Sequence, residues 1–288
     1  MIKHKKKSTF LIETTDGYAL IESKLETTRG FVNGHFYIDT GSSACLISDL
    51  WISPKGRISM NVIGLDNSVT RAGVASACIH ISSKHYYEQF LVVNHNCFPC
   101  TKRNIIGVLG VDFLTKHKLI VDFKHNQLYV ENEKILKRSD HKNRIVLNTL
   151  RLSDGVKIPF AKIVGRNSSF TCLLDTGSNS NIITNDAITK GDFSFSVINP
   201  THFTLISGIN KDAMSLSTNV SFKIQDAKDT NDSPQLAMYS ESFDVLLTNK
   251  SILTSEDGGV DIQALLGCPF LIKHECIMNF DKGIVEIF

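Results

Sequence analysis

Residues 36–48 read Phe-Tyr-Ile-Asp-Thr-Gly-Ser-Ser-Ala-Cys-Leu-Ile-Ser, and residues 172–184 read Cys-Leu-Leu-Asp-Thr-Gly-Ser-Asn-Ser-Asn-Ile-Ile-Thr. In both, an apolar run leads into Asp-Thr-Gly-Ser and an apolar pair follows the turn. Asp39 and Asp175 stand 136 positions apart. Each stretch has a second block downstream: Gly107–His117 (GVLGVDFLTKH) returns as Ala264–His274 (ALLGCPFLIKH). The match continues through Ile120–Phe123 and Ile277–Phe280, and Val62–Asn67 resembles Ile206–Lys211. Blocks recurring in the same order mark a duplicated unit.

Outward from these blocks, short β-branched and aromatic runs alternate with Gly, Asn and Asp. They predict strands over Gly34–Ile38, Ala77–Ile81, Phe90–Val93, Thr171–Leu174, Val220–Ile224 and Ile284–Phe288. One short helix per copy is predicted, over Asp112–Lys118 and Pro269–His274, and Pro269 suits a first helical turn. The expected fold class is all-β: two closed β-barrel units related by a pseudo-twofold, each with one short helix, and a cleft between them. The polar run Lys137–Arg144 suits a surface connector, so the units are expected at 1–138 and 145–288 with a linker at 139–144.

The chain has 288 residues, 31 Lys and Arg against 29 Asp and Glu, and a formal charge of +2. That balance argues against a protein that coats nucleic acid, and no apolar run is long enough to span a membrane. The basic start Met1–Lys7 reads as a solvated terminus, and the apolar stretch after it is too short for a secretion signal. The seven cysteines, several in apolar surroundings, suit a reducing compartment, and a cytoplasmic location is expected. His95, Cys97 and Cys100 cluster locally, but a closed zinc site needs four ligands; no metal is assigned, and loop cysteines are expected there.

One aspartate per copy, on a tight glycine turn, is suited to acid–base work. If the copies pack about a twofold axis through those turns, two carboxyls meet and share one proton. Such a pair can activate water as base and protonate a carbonyl oxygen as acid, with no metal or other cofactor.

On these residues the chain resembles the aspartic peptidases of the retropepsin and pepsin group, and looks like two retropepsin-like domains fused in one chain. The resemblance rests on Asp39-Thr40-Gly41-Ser42, Asp175-Thr176-Gly177-Ser178, Val108-Leu109-Gly110 and Leu265-Leu266-Gly267. It implies an aspartic endopeptidase in which Asp39 and Asp175 hold the attacking water and Thr40 and Thr176 cross-brace the turns. Gly41 and Gly177 would present N–H groups to the carboxylates, and Ser42 and Ser178 would hydrogen-bond their outer oxygens. Donors of that kind lower a carboxyl pKa and lead to the expectation of an acidic optimum.

The resemblance also implies hairpin flaps over the cleft. Ile63, Gly64, Leu65 and Asp66 in the first copy, and Ser207, Gly208, Ile209 and Asn210 in the second, are the candidates. Neither segment carries the tyrosine of a single pepsin flap, which favours two flaps. Gln127–Val130 and Ile284–Phe288 are candidate strands of a sheet joining the copies. His117 and His274 recur in register and are read as surface or capping residues, and Trp51 as a core or cleft wall. The implied partner is a peptide or protein substrate bound as an extended strand by a monomer, with neither nucleic acid nor membrane involved. The alternatives are a catalytically silent peptide-binding module on the same fold, or a processing protease dedicated to one partner.

Overall fold

The computed structural model describes residues 9–54, 59–63, 69–99, 102–130, 145–151, 157–197, 203–207, 212–225, 236–246, 253–254 and 261–288. The first half runs β1 (Thr9–Leu11), β2 (Glu13–Thr15), β3 (Tyr18–Thr27), β4 (Gly30–Ile38), β5 (Leu46–Ser48), β6 (Ser59–Ile63), β7 (Val69–Ile81), β8 (Lys84–Val93), β9 (Ile105–Leu109), α1 (Val111–Lys116), β10 (Leu119–Asp122) and β11 (Gln127–Val130). The second runs β12 (Ile145–Arg151), β13 (Lys157–Val164), β14 (Ser169–Asp175), β15 (Ile182–Thr184), α2 (Asn185–Gly191), β16 (Ser194–Val197), β17 (Phe203–Ser207), β18 (Asp212–Gln225), β19 (Leu236–Leu246), β20 (Leu253–Thr254), β21 (Asp261–Gly267), α3 (Cys268–Lys273), β22 (Ile277–Asn279) and β23 (Ile284–Ile287).

Each half closes on itself. β3, β4, β9, β5, β8 and β7 pair in that order, and β7 returns to β3 through Leu25 opposite Ile79. β13, β14, β21, β15, β19 and β18 repeat the ring, closed by Ile163 opposite Ile224. Closure leaves no strand edge within either ring exposed to pairing. Along β8 the side chains alternate, with Tyr86, Glu88, Phe90 and Val92 buried and Tyr87 and Gln89 exposed. By contrast all five residues of β9 are buried, because β9 lies parallel to β4 and is covered on both faces. β21 lies parallel to β14 in the same way, with Asp175 opposite Gly267. The repeated apolar runs ending in glycine are therefore the inner strands beside each Asp-Thr-Gly turn.

A six-stranded sheet joins the halves in the order β1, β11, β10, β22, β23, β12. Its centre is the antiparallel pair β10–β22, where Val121 faces Met278, and the approximate twofold axis passes there. Both side chains are fully buried, each burial worth about 1.5–3 kcal/mol. Gln127–Val130 is the strand next to the centre on one side and Ile284–Ile287 its counterpart on the other. One apolar core, with members such as Phe10, Leu128, Met278 and Val285, runs from the first half through this sheet into the second.

The second half carries two helices where one is expected. α2 starts at Thr184, whose side chain accepts from Ala187 N at 3.1 Å. A Lys190–Asp186 pair one turn apart, at 2.8 Å, supports it. In the first copy Ser48 begins a similar turn, accepting from Leu50 N at 3.2 Å, but the segment reaches Pro54 without a helix. The expected connector at 139–144 lies outside the described residues. Among the described residues, no helix is long and apolar enough to cross a membrane.

Candidate active site

β4 and β14 each deliver an aspartate to the middle of the molecule. Asp39 N donates to Leu109 O at 3.1 Å, tying the start of the turn to β9. The far side of each turn is held by the same inner strand's continuation: Val111 N donates to Ser42 O at 2.9 Å and Cys268 N to Ser178 O at 2.8 Å. This requires a bare backbone at Gly110 and Gly267. A Cβ on Gly110 would lie 2.6 Å from Ala44 O, and one on Gly267 would lie 2.3 Å from Ser180 O.

Two departures between the copies compensate one another. In the first, Asp112 accepts from Cys45 N at 3.2 Å and from Cys45 Sγ at 3.2 Å. In the second, Pro269 and Asn181 occupy those positions, and Asn181 Oδ1 accepts from Gly267 N at 3.0 Å. The turn is braced either way, by a carboxylate from the helix or by an amide from the turn.

Thr40 and Thr176 lock the two turns together. Each backbone N–H donates to the other's hydroxyl at 3.0 Å. Thr40 Oγ1 then donates to Leu174 O and Thr176 Oγ1 to Ile38 O, both at 2.6 Å. Both threonines are fully buried, so these bonds form away from competing water.

The brace sets the carboxyls against each other. A Cβ on Gly177 would lie 2.3 Å from Asp39 Cγ, and one on Gly41 would lie 2.6 Å from Asp175 Cγ. Each carboxyl thus sits over the other turn's glycine, where any side chain would displace it. The two carboxyls are close enough that each acts on the other's protonation. Asp39 Oδ1 accepts from Gly41 N at 2.9 Å and Ser42 N at 3.0 Å, and Asp175 Oδ1 accepts from Gly177 N at 2.8 Å. Asp39 is half-buried and Asp175 only 5% exposed.

Burial pushes both carboxyls above the ordinary aspartate range. For Asp39 the bond from Asp175 and the two backbone donors oppose that rise. Asp175 is pushed well above its usual value, first by burial and then by the Asp39 charge beside it. Two buried carboxyls in contact cannot both ionise easily, so the pair shares one proton. This reverses the expectation that donors dominate: desolvation outweighs them.

A second correction concerns the serines. Ser42 Oγ donates to Ala44 O at 2.8 Å and Ser178 Oγ to Ser180 O at 2.8 Å, so neither hydroxyl proton reaches a carboxylate. A hydroxyl has one proton, and here it closes the serine's own loop. The Ser42 contact to Asp39 comes from its backbone N–H instead.

Two further residues line the site. The Cys268 thiol donates to Thr176 O at 3.1 Å, and burial, then the negative charge of the Asp175/Asp39 pair, holds it protonated. Tyr18 is pushed up to about 12 by burial and then by Asp175, and its ring meets Tyr37 edge-on at 5.1 Å. Cys268 is visible in the sequence only as a departure between the repeats, and Tyr18 lies outside every repeated block.

Of the expected flap residues, Ile63 ends β6 opposite Val69, and Ser207 ends β17 opposite Asp212. In both copies the strands on either side of the expected flap segment pair antiparallel, β6 with β7 and β17 with β18. Gly64, Leu65, Asp66, Gly208, Ile209 and Asn210 lie outside the described residues. His117 and His274 cap α1 and α3, and each bonds a buried glutamate, at 2.6 Å to Glu88 and 2.7 Å to Glu241. Trp51 packs partly buried against the core. His95 Nδ1 lies 3.1 Å from Ser48 Oγ, Cys97 is a free thiol, and Cys100 lies outside the described residues.

Among solved structures, the chain is similar to an aspartic proteinase from Irpex lacteus, with TM-score 0.56 over 97% of this chain and 96% of that one at 11% identity. The fold is pepsin-like. The basic 7S globulin from soybean is also similar, with TM-score 0.55 over 97% of this chain and 94% of that one at 10% identity. No family model and no curated relative matches the sequence. Since the pepsin-like fold is shared by a protein named a proteinase and one named a globulin, activity has to be argued from the site.

Proposed function

We propose that the chain is an aspartic endopeptidase working as a single-chain pseudo-dimer of two retropepsin-like units, 1–138 and 145–288. The observation that carries this reading is the mutual seating of the two carboxyls, each over the other turn's glycine; a pair so placed shares one proton. Asp39 as carboxylate accepts a proton from a water held between the pair while Asp175 gives its proton to the substrate carbonyl oxygen. Attack of the water oxygen yields a tetrahedral gem-diol. Its collapse breaks the C–N bond, with the proton gained by Asp39 passing to the leaving nitrogen and a gem-diol proton returning to Asp175.

The substrate lies as an extended strand between the floor of the dyad and the hairpins β6–β7 and β17–β18, its backbone hydrogen-bonded and alternate side chains in pockets. Paired hairpins in both copies support the two-flap, retropepsin-like version over a single flap. The monomer is complete, because the two halves contribute both aspartates and share one sheet.

Asp39→Asn and Asp175→Asn are each expected to abolish cleavage of a mixed peptide library while the melting curve stays cooperative. Full activity in either variant would sink the shared-dyad mechanism. A second reading, a silent peptide-binding module, is favoured by the resemblance to a protein named a globulin. It predicts peptide binding without turnover, unaffected by Asp→Asn exchange.

A further inference from the structure

On the outer face of the first barrel, β3, β7 and β8 run side by side and bring together groups the dyad does not use. Register places Glu26 opposite Cys78 and Lys24 opposite His80 on one side. On the other side Cys78 faces Tyr87 and His80 faces His85. Directly opposed residues point the same way, and so do residues two apart on one strand. Glu26, Cys78, His80 and His85 therefore share one face.

They also converge. Cys78 Sγ lies 3.6 Å from His80 Nε2, and Glu26 Oε2 lies 3.5 Å from the same nitrogen. One donor atom each from Cys78, His80 and His85 falls within 4.8 Å of the others. Donors bound to a tetrahedral zinc at about 2.0–2.3 Å lie roughly 3.3–3.8 Å apart. The Cys78, His80 and His85 donors therefore need to close by only about an ångström, and Glu26 reaches the cluster through its contact with His80. The approach is layered: Cys78 is 6% exposed, His80 intermediate and His85 exposed. Phe31, itself 60% exposed, meets the His80 ring edge-on at 5.1 Å and covers one side.

We propose that Cys78, His80 and His85, with the Glu26 carboxylate as fourth ligand, form a binding site for a zinc-class divalent cation. A thiolate with two imidazoles selects zinc over magnesium or calcium, whose sites are built from oxygen. On binding, the S–Zn bond replaces the S–H bond of Cys78 and one proton leaves to solvent. The cation clasps three strands of one barrel. It sits about 30 Å along β7 from Val69, the residue that opens that strand at its hairpin tip. Its expected effect is on the stability of the first barrel, independent of peptide hydrolysis.

The test is titration of the full metal-free chain with cobalt and then zinc. The expected result is one cobalt per chain with tetrahedral visible bands and a thiolate-to-cobalt charge-transfer band, displaced by zinc. Cys78→Ser should remove the charge-transfer band, and His85→Asn should weaken zinc by more than the roughly 10–100-fold that loss of an outer-shell partner costs. Zinc should raise the melting midpoint of the parent chain and leave those variants unmoved. Cys97→Ser should change nothing. Should Cys78→Ser fail to fold, His85→Asn, at an exposed position, carries the test alone. Absence of stoichiometric cobalt binding would overturn the proposal. So would a thiolate band that survives Cys78→Ser or disappears in Cys97→Ser.

Discussion

Thr40 and Thr176 exchange backbone-to-hydroxyl hydrogen bonds of 3.0 Å in both directions, and each hydroxyl donates to a carbonyl of the opposite half. The two residues come from copies of one unit, and their contact makes the halves a single site.

Thr40→Val removes a donor to Leu174 O and an acceptor for Thr176 N, leaving two buried groups unpaired. The expected cost is roughly 2–6 kcal/mol, at 1–3 for each orphaned group. Thr40→Ser keeps the hydroxyl and should cost much less. Denaturant melts of both variants check this, and a loss in Thr40→Ser that Thr40→Val does not share would mean that the methyl group, not the bond, carries the contact.

Asp175 binds its proton more tightly in the folded than in the unfolded chain. Its contribution to stability is therefore complete below the ordinary aspartate range, about pH 4, and is lost as pH rises through the folded value. Asp175→Asn removes that slope, so between acid and neutral pH the variant should lose less stability than the parent. Parallel stability curves for the two proteins contradict a raised Asp175.

The same pair sets the rate profile. Turnover needs one proton on two carboxyls, so kcat/KM should be bell-shaped, falling in acid as the pair takes a second proton and in base as it loses the one it shares. The two apparent values belong to the pair. Because burial raises both, the bell is expected to lie above the position that two ordinary, donor-stabilised aspartates would give. A single sigmoid across the range would argue against proton sharing.

Glu88 and Glu241 are 8% and 7% exposed and hold matching Lys–His pairs at the ends of α1 and α3. Glu241→Gln weakens bonds to Lys273 at 2.9 Å and His274 at 2.7 Å, at an expected cost of about 1.5–3 kcal/mol. The melting midpoint should fall while kcat stays unchanged. A collapse of kcat in a folded variant would place these histidines in the chemistry after all.

Much of this was legible because the chain repeats. Two Asp-Thr-Gly-Ser turns, each with an apolar run ending in glycine, announce a duplicated barrel, since a strand covered on both faces must be apolar throughout. The strands Gln127–Val130 and Ile284–Phe288 could be named, but not their neighbours β10 and β22 at the centre of the joining sheet, because pairing between distant strands leaves no local pattern. α2 lies outside the two expected helices although Thr184 and the Asp186–Lys190 spacing are proper start and support signals; its counterpart after Ser48 forms no helix. The serine hydroxyls were misplaced because rotamers are not written in sequence. Cys78, His80, His85 and Glu26 do not stand out in the sequence for a related reason: their convergence depends on the register of three strands.

The measurement closest to the central claim is digestion of a mixed peptide library between about pH 3 and 7, with and without a statine-type inhibitor, beside the Asp39→Asn/Asp175→Asn double variant. The account predicts inhibitor-sensitive cutting that vanishes in the double variant. Cutting that persists there, or a well-folded parent chain that cuts nothing across the range, would contradict it.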